Sequence, residues 1–185
     1  MKRILNRIPA MLLAAILLAA PVCAAQTSYT DVPENVWYEE AILTVTERGW
    51  MDGTGNGEFS PNDGLTRAML ATILWRMEDC PAAAVTANFT DIVRGSWYDG
   101  GVSWCVEEGL FQGFPDGSFR PNDAVTREQL AVVFYRYADA KPTAAAAKVS
   151  VKNGCSWALD ACAWANAAGL FTDALGTLDL CAPAS

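Results

Sequence analysis

The 185-residue chain contains no histidine. A His-based catalytic triad, most zinc-enzyme ligand sets and imidazole pH switches are therefore excluded. Basic residues are scarce, 13 against 21 acidic ones, which leaves a net charge of −8. A nucleic-acid-binding protein usually carries a basic stripe, so nucleic acid is not the expected partner. Hydrophobic residues make up 52% of the chain and charged residues 18%, a balance that excludes global disorder.

The chain also lacks an apolar run of the roughly 20 residues that a transmembrane helix needs. Its apolar run at residues 10–20 follows three basic residues, is broken by Pro21 and leads into small residues at 22–25. This layout is typical of a secretory signal peptide and predicts one over residues 1–25. We therefore expect a secreted protein that has no contact with a membrane after signal cleavage.

Beyond the predicted signal peptide there are few cysteines, and their number is odd. They are Cys80, Cys105, Cys155, Cys162 and Cys181. Their spacing resembles neither a disulfide framework nor a zinc knuckle. Cys105 and Cys162 fall at apolar helical positions, which predicts buried thiols, although one disulfide bridge stays open as an alternative. We expect no metal site and no cofactor.

What the sequence does contain is a repeat with a period of 60 residues. The identities between the first two copies include Asp31/Asp91, Trp37/Trp97, Gly53/Gly113, Phe59/Phe119, Thr66/Thr126, Arg67/Arg127 and Leu70/Leu130. A third copy starts on the same period with Trp157 but decays, and its arginine and second helix are missing. We predict repeats over 29–80, 89–139 and 149–185, the third degenerate and truncated, with linkers over 81–88 and 140–148.

Each copy reads as helix–loop–helix, so the predicted fold class is mainly α. The first helix starts near the tryptophan and ends at Gly49, Gly109 or Gly169, as a left-handed cap requires. The second helix follows Thr66 or Thr126, and Gln129 completes a capping box that Met69 cannot form in copy one. Neither helix buries its apolar stripe alone, so the copies must pack on one another.

Two functional classes find little support in the sequence. Residues 52–57 resemble half of a calcium loop, but copy two has Gln112 and Phe114 at the places of the early ligands. Both copies keep only turn chemistry there. No isolated acidic pair stands apart from the repeat pattern, so we do not expect an enzyme and assign no catalytic residue.

The recurring Thr-Arg pair is the strongest candidate for binding. An arginine at a helix N-terminus presents a planar fork to an anion, beside the helix dipole and unpaired backbone N–H groups. The structural alternative is that Arg67 and Arg127 cap or staple the second helix. The repeated Trp37, Trp97 and Trp157 are either core residues or an aromatic wall for the apolar face of a sugar.

These residues together resemble the S-layer homology (SLH) domain family. The resemblance rests on two motifs that recur in both copies: Tyr29-Thr30-Asp31-Val32 with Phe89-Thr90-Asp91-Ile92, and Leu65-Thr66-Arg67-Ala68 with Val125-Thr126-Arg127-Glu128. It implies SLH-type repeats in a pseudo-threefold arrangement. It also implies a non-catalytic module at the bacterial cell wall or S-layer surface, anchored to secondary cell-wall polysaccharide that often bears pyruvate ketals.

The resemblance also implies where the glycan lies. One groove between repeats would use Arg67 with Trp97, and a second would use Arg127 with Trp157. Gly53 and Gly113 match turn positions that allow a close approach of sugar. Three alternatives remain: an exported structural or protein-interaction scaffold with degenerate grooves, a fragment of a longer anchored protein, and a chain whose third repeat is completed by a protein partner or by self-association.

Overall fold

A computed structural model describes residues 29–140, 156–170 and 184. Its helices are α1 (Glu39–Glu47), α2 (Arg67–Met77), α3 (Asp99–Glu107), α4 (Arg127–Tyr137) and α5 (Leu159–Ala167), the last preceded by a 3₁₀ turn over Ser156–Ala158. Within these ranges the only β pairing consists of two isolated bridges. The predicted mainly α class is confirmed. None of the helices in the described ranges is long and apolar enough to cross a membrane.

The helix ends agree with the predicted caps. Thr66 and Thr126 are extended N-cap residues whose hydroxyls accept from the backbone N–H three residues on. Gln129 completes the capping box of α4. Gly49, Gly109 and Gly169 follow the first helix of each copy at φ +68°, +73° and +74°, so the left-handed caps are also confirmed.

Helices pack in pairs that join neighbouring copies. The second helix of copy one, α2, packs on the first helix of copy two, α3, and α4 packs on α5 in the same way. The first interface buries Leu70, Leu74, Val102, Cys105 and Phe119, while the second is built mainly from Ala131, Ala161, Cys162 and Ala165. Each core therefore draws residues from two neighbouring copies.

The predicted buried thiols are confirmed. Cys105 and Cys162 are free and fully buried at the two helix interfaces, and Cys80 is free and exposed. Burial raises the pKa of the Cys162 thiol to about 11 and that of Cys105 still further. Both therefore stay protonated and behave as small apolar side chains.

Three equivalent residues, one from each copy, form a closed ring of hydrogen bonds. Val125 N–H donates to the Leu65 carbonyl at 2.8 Å, Leu65 N–H to the Ala184 carbonyl at 2.9 Å, and Ala184 N–H to the Val125 carbonyl at 2.7 Å. In copies one and two the ring residue directly precedes the Thr-Arg pair and the second helix.

The predicted linker at 81–88 contains no helix or strand and runs along α2 and α3. The Trp75 indole N–H donates to the Pro81 carbonyl at 2.8 Å, and the Ala87 N–H to the Ser103 hydroxyl at 3.0 Å. The predicted signal peptide, residues 141–148 of the second linker and the decay of copy three after residue 170 lie outside the described residues. The domain boundaries therefore stay a prediction.

Candidate functional site

The repeat's invariant aspartate shapes the loop that faces the arginine. The Asp91 carboxylate accepts from the backbone N–H groups of Phe119 and Arg120, at 2.8 and 2.7 Å. Asp31 holds the equivalent loop of copy one through Phe59 and Ser60, at 2.8 and 2.6 Å. The hydrogen bond from Phe59, helped by that from Ser60 and opposed by partial desolvation, lowers the pKa of Asp31. Each carboxylate therefore ties the opening of a copy to its central turn.

The glycines of the loop are required by close packing inside each copy. A Cβ on Gly113 would lie 2.1 Å from Cε1 of the Phe89 ring, and one on Gly53 would lie 2.4 Å from the Glu58 carbonyl oxygen. Gly53 also adopts φ +76°, which favours glycine. That Gly53 and Gly113 allow a close approach of sugar stays a prediction. Close packing inside each copy is a separate reason for a glycine at both positions.

Arg67 lies in the interface between copies one and two. Only 6% of the residue is exposed. Nε donates to the Phe119 carbonyl at 2.8 Å and Nη2 to the Gln112 carbonyl at 2.9 Å. The guanidinium carbon stands 4.6–5.1 Å from the centres of three phenylalanine rings, those of Phe111, Phe114 and Phe119. Burial lowers the pKa of Arg67, and the nearby Asp123 carboxylate partly offsets this.

These contacts match the structural alternative, with one addition: Arg67 staples helix α2 to the loop of the next copy rather than to its own. The expectation of unpaired N–H groups at the start of α2 is wrong. The backbone N–H groups of Arg67, Ala68 and Met69 donate to the Asp123 carbonyl, the Pro121 carbonyl and the Thr66 hydroxyl. An anion at this helix end must therefore be bound by side chains.

The tryptophans that open each copy lie at the surface. The exposed fraction is 92% for Trp37, 59% for Trp97 and 57% for Trp157, so the interpretation of these residues as core is wrong. Trp104, which lies within α3, is buried instead. Trp97 precedes α3, which packs on the helix that Arg67 begins. The rings over the Arg67 guanidinium are nevertheless phenylalanines and not Trp97.

The second predicted groove has the same layout of elements. Arg127 begins α4, and Trp157 lies in the 3₁₀ turn before α5, which packs on α4. Arg127 is half-buried and engaged in an interaction. Each predicted arginine thus begins one helix of a packed pair, and each predicted tryptophan lies just before the other helix of that pair.

Sequence analysis missed two residues that lie near Arg67, Phe114 and Arg120. The Arg120 guanidinium lies 3.9 Å from the Phe114 ring centre and pairs with the Asp116 carboxylate at 3.0 Å. Hydrogen bonds from Ser118 and from Arg120 lower the pKa of Asp116 to about 2. Arg120 also depresses the pKa of Arg67, so the two cations are electrostatically close. Copy one has Thr54 and Ser60 at these positions, a difference that comparison of the copies reveals.

The half calcium loop holds an ion pair rather than a cluster of ligands. The Asp52 carboxylate lies 2.8 Å from Nη1 of Arg76. Among residues 29–140, 156–170 and 184 no group of three or more acidic or cysteine side chains is arranged to hold a metal ion. The arrangement of carboxylates and arginines in this loop is that of a structural turn.

Comparison with known families supports the repeat as the unit of function. The S-layer homology domain matches residues 28–69 and 88–131, which are the first two copies. The chain contains two S-layer homology domains. Each SLH match spans the aspartate that holds the loop, the exposed tryptophan and the arginine that begins the second helix.

Relatives of these SLH domains belong to much longer proteins. The surface layer protein of Brevibacillus choshinensis is 30% identical over 148 residues, 77% of this chain and 13% of that protein. The middle cell wall protein of Brevibacillus brevis is 28% identical over 148 residues, 77% of this chain and 14% of that protein. An amylopullulanase of Thermoanaerobacterium thermosulfurigenes is 26% identical over 110 residues, 59% of this chain and 6% of that protein. The chain therefore spans a small part of the length of these curated relatives.

Proposed function

We propose that this chain is a non-catalytic module that anchors to anionic cell-wall polysaccharide through grooves between its SLH repeats. The observation that carries the proposal is the packing of α3 on α2, since Arg67 begins α2 and the half-exposed Trp97 lies two residues before α3. The names of the relatives, a surface layer protein and a middle cell wall protein, support a location at the cell wall. Export through the predicted signal peptide fits the same location.

The apolar face of a sugar ring would pack on the exposed indole of Trp97. Its anionic substituent, a pyruvate ketal on a secondary cell-wall polysaccharide, would then lie towards the guanidinium groups of Arg67 and Arg120. Nε and Nη2 of Arg67 are committed to carbonyls, so Arg67 contributes charge and its remaining N–H donors. Arg120 is 43% exposed at its side chain and contributes a second cation. Arginine–carboxylate contacts are among the stronger charge-assisted hydrogen bonds.

The second groove would work in the same way with Arg127 and Trp157. Two weak grooves on one chain gain avidity when a single polymer reaches both. The chemistry of the enzyme relatives does not transfer to this chain, because the matched part covers only 6% of the amylopullulanase. We infer anchoring alone, with no catalytic residue.

The test is co-sedimentation of the chain with purified cell-wall glycan before and after chemical removal of the pyruvate ketal. We expect binding to fall after removal. Arg120→Ala and Arg127→Ala should each weaken binding, and Arg127→Lys should not restore it fully, because lysine lacks the planar fork. Arg48→Ala, on an exposed arginine stacked on Trp50 outside both grooves, is the matched control. Equal binding to both glycan forms would overturn the ketal mechanism.

The second candidate function is an exported protein-interaction scaffold. The exposed face of α1, where Trp37 is 92% accessible, favours it. Retention of a protein partner by a chain that shows no affinity for wall glycan would select this alternative.

A further inference from the structure

The tryptophans that open copies one and two lie in short loops that a carboxylate closes. In copy two the Gly95 N–H donates to Oδ2 of Asp99 at 2.9 Å, and the Asp99 N–H donates to the Ser96 carbonyl at 3.1 Å. Trp97 lies within the segment that these two bonds enclose. The side chain and the backbone of Asp99 therefore both fix the loop that carries the indole.

Copy one closes the same loop with different residues. The Asn35 N–H donates to Oε2 of Glu39 at 2.6 Å, and the Glu39 N–H donates to the Val36 carbonyl at 3.1 Å. Asn35 and Gly95 both adopt the left-handed backbone conformation, at φ +63° and +74°. Glycine and asparagine are the residues that adopt it most readily. The closure thus recurs at the start of α1 and of α3, with glutamate in one copy and aspartate in the other.

An aromatic contact also fixes the indole of Trp97. The ring of Tyr98 meets it edge to face, with centroids 5.1 Å apart and an interplanar angle of 88°. Tyr98 packs in the core, whereas Trp97 is half-exposed. The Asp99 side chain is only 17% exposed, and its Oδ1 lies 3.4 Å from Nη1 of Arg94. An exposed indole is therefore attached to a buried ring and to a loop closed by a largely buried carboxylate.

Copy three differs at the closing position. Leu159 is the counterpart of Asp99, and a leucine side chain has no hydrogen-bond acceptor. Helix α5 nevertheless forms, directly after the 3₁₀ turn that contains Trp157. The carboxylate of copies one and two is therefore not a requirement for a first helix to form, and its role lies in the loop before the helix.

We propose that Asp99 is a positioning residue for glycan binding, which closes the loop over residues 95–99 and so holds the indole of Trp97 in the orientation that receives the sugar. This inference rests on the proposed function, since it concerns the same groove. A side chain that is fixed before binding loses less conformational entropy when the ligand arrives, and the affinity is higher for that reason. Opening the loop should weaken binding even though every residue that would contact the sugar is still present.

Asp99→Ala should weaken the binding of the full chain to purified pyruvylated cell-wall glycan by about three- to tenfold, measured by isothermal titration calorimetry. Charge alone predicts the opposite, because the substitution removes a negative charge near an anionic ligand and releases Arg94. Asp99→Asn keeps an oxygen that can accept from Gly95 and should retain most of the affinity. Glu107→Ala is the matched control, since the Glu107 carboxylate accepts from the Ala84 N–H at 2.7 Å at the other end of α3.

The order of the indole is measured separately from glycan binding. In a chain labelled with 5-fluorotryptophan, the ¹⁹F resonance that Trp97→Phe removes belongs to Trp97. We expect this resonance to narrow in Asp99→Ala and to move towards that of the free amino acid. The resonance of the buried Trp104 should stay in place, and the melting temperature should be close to that of Glu107→Ala. A general loss of structure would change both resonances.

Three results would overturn the proposal: unchanged or tighter glycan binding by Asp99→Ala, an unchanged Trp97 resonance in that variant, or equal weakening by Asp99→Asn. Trp97→Ala separates these results from a failure of the proposed function. If Trp97→Ala binds glycan like the wild type, Trp97 is not part of a glycan site and the proposed function fails at this groove. Weaker binding by Trp97→Ala together with wild-type binding by Asp99→Ala would overturn the positioning role alone.

Discussion

At the residue scale, Arg67 shows how one side chain joins two copies of a repeat. Its guanidinium serves two carbonyls of the neighbouring copy while lying against three aromatic rings. A planar group with donors on several edges fits this position, whereas an ammonium group is a compact point charge. Arg67 therefore has a structural role in addition to the proposed role in binding.

Arg67→Lys should lower the free energy of unfolding by about 1–3 kcal/mol, because it leaves the carbonyl of the buried Phe119 and the partly buried acceptor of Gln112 without full partners. Urea denaturation followed by tryptophan fluorescence measures the change. Arg48→Lys, at an exposed position, serves as control and should have almost no effect. If Arg67→Lys unfolds at the wild-type urea concentration, the stapling role is wrong.

The stability of copy one should depend on pH through Asp31. Hydrogen bonds from Phe59 and Ser60 lower its pKa from the ordinary 3.8, so the ionised form is favoured by folding. A lowered folded-state pKa gives stability that is present above the unfolded value and is lost as pH falls through the folded value. Asp31→Asn should therefore destabilise the chain near neutral pH, and the gap from wild type should narrow below about pH 4. Thermal melts between about pH 2 and about pH 7 would measure the difference in stability between the wild type and Asp31→Asn. A difference that does not change with pH would contradict the prediction.

Some residues of the candidate site were predictable and others were not. The turn glycines, the thiol burial and the Thr-Arg pair follow from local pattern and from comparison of the copies. The burial of Arg67 does not, because its acceptors lie 45 and 52 positions away in the chain. Sequence analysis left open whether Trp97 is core or surface, and the structure shows it 59% exposed while Trp104 is buried.

At the element scale, the ends of the helices were largely encoded by short-range chemistry. A threonine cap, a partner three residues on and a glycine with positive φ act within a few residues, so sequence predicts them well. The first helices were predicted to start near the tryptophan, and α1 and α3 each begin two residues after it.

The capping box provides a matched test inside one chain. Gln129→Ala removes the hydrogen bond that the Thr126 N–H donates to Gln129 Oε1 and should destabilise the protein by about 0.5 kcal/mol. Met69→Gln introduces the missing partner in α2 and should stabilise by a similar few tenths of a kcal/mol. Chemical denaturation of the two single variants and the double variant measures both. If Gln129→Ala and Met69→Gln change the free energy of unfolding equally and in the same direction, the capping explanation is contradicted.

At the scale of the whole molecule, the copies depend on each other for their cores. The 60-residue period predicts that the copies pack on one another. In the described helix pairs, the second helix of one copy packs on the first helix of the next. The hydrogen-bonded ring was beyond prediction, because it joins Leu65 and Val125 to Ala184 in the most degenerate copy. No sequence identity marks Ala184, and it lies one residue short of the 60-residue period that relates Leu65 to Val125.

Ala184→Pro tests the ring. Proline has no N–H, so the bond to the Val125 carbonyl is lost, and the chain should be destabilised by about 1 kcal/mol. Amide hydrogen exchange of Val125 and Leu65 should accelerate together, because each N–H depends on the same closed arrangement. Exchange that is unchanged at both amides would mean that the ring contributes nothing to cohesion.

The ring also has a direction. Each member gives its proton to one neighbour and receives from the other, so donation runs from Val125 to Leu65 to Ala184 and back to Val125. A unit inserted with reversed polarity would set carbonyl against carbonyl at the centre. The three bonds can therefore form together only when each copy presents its backbone to the centre in the same direction.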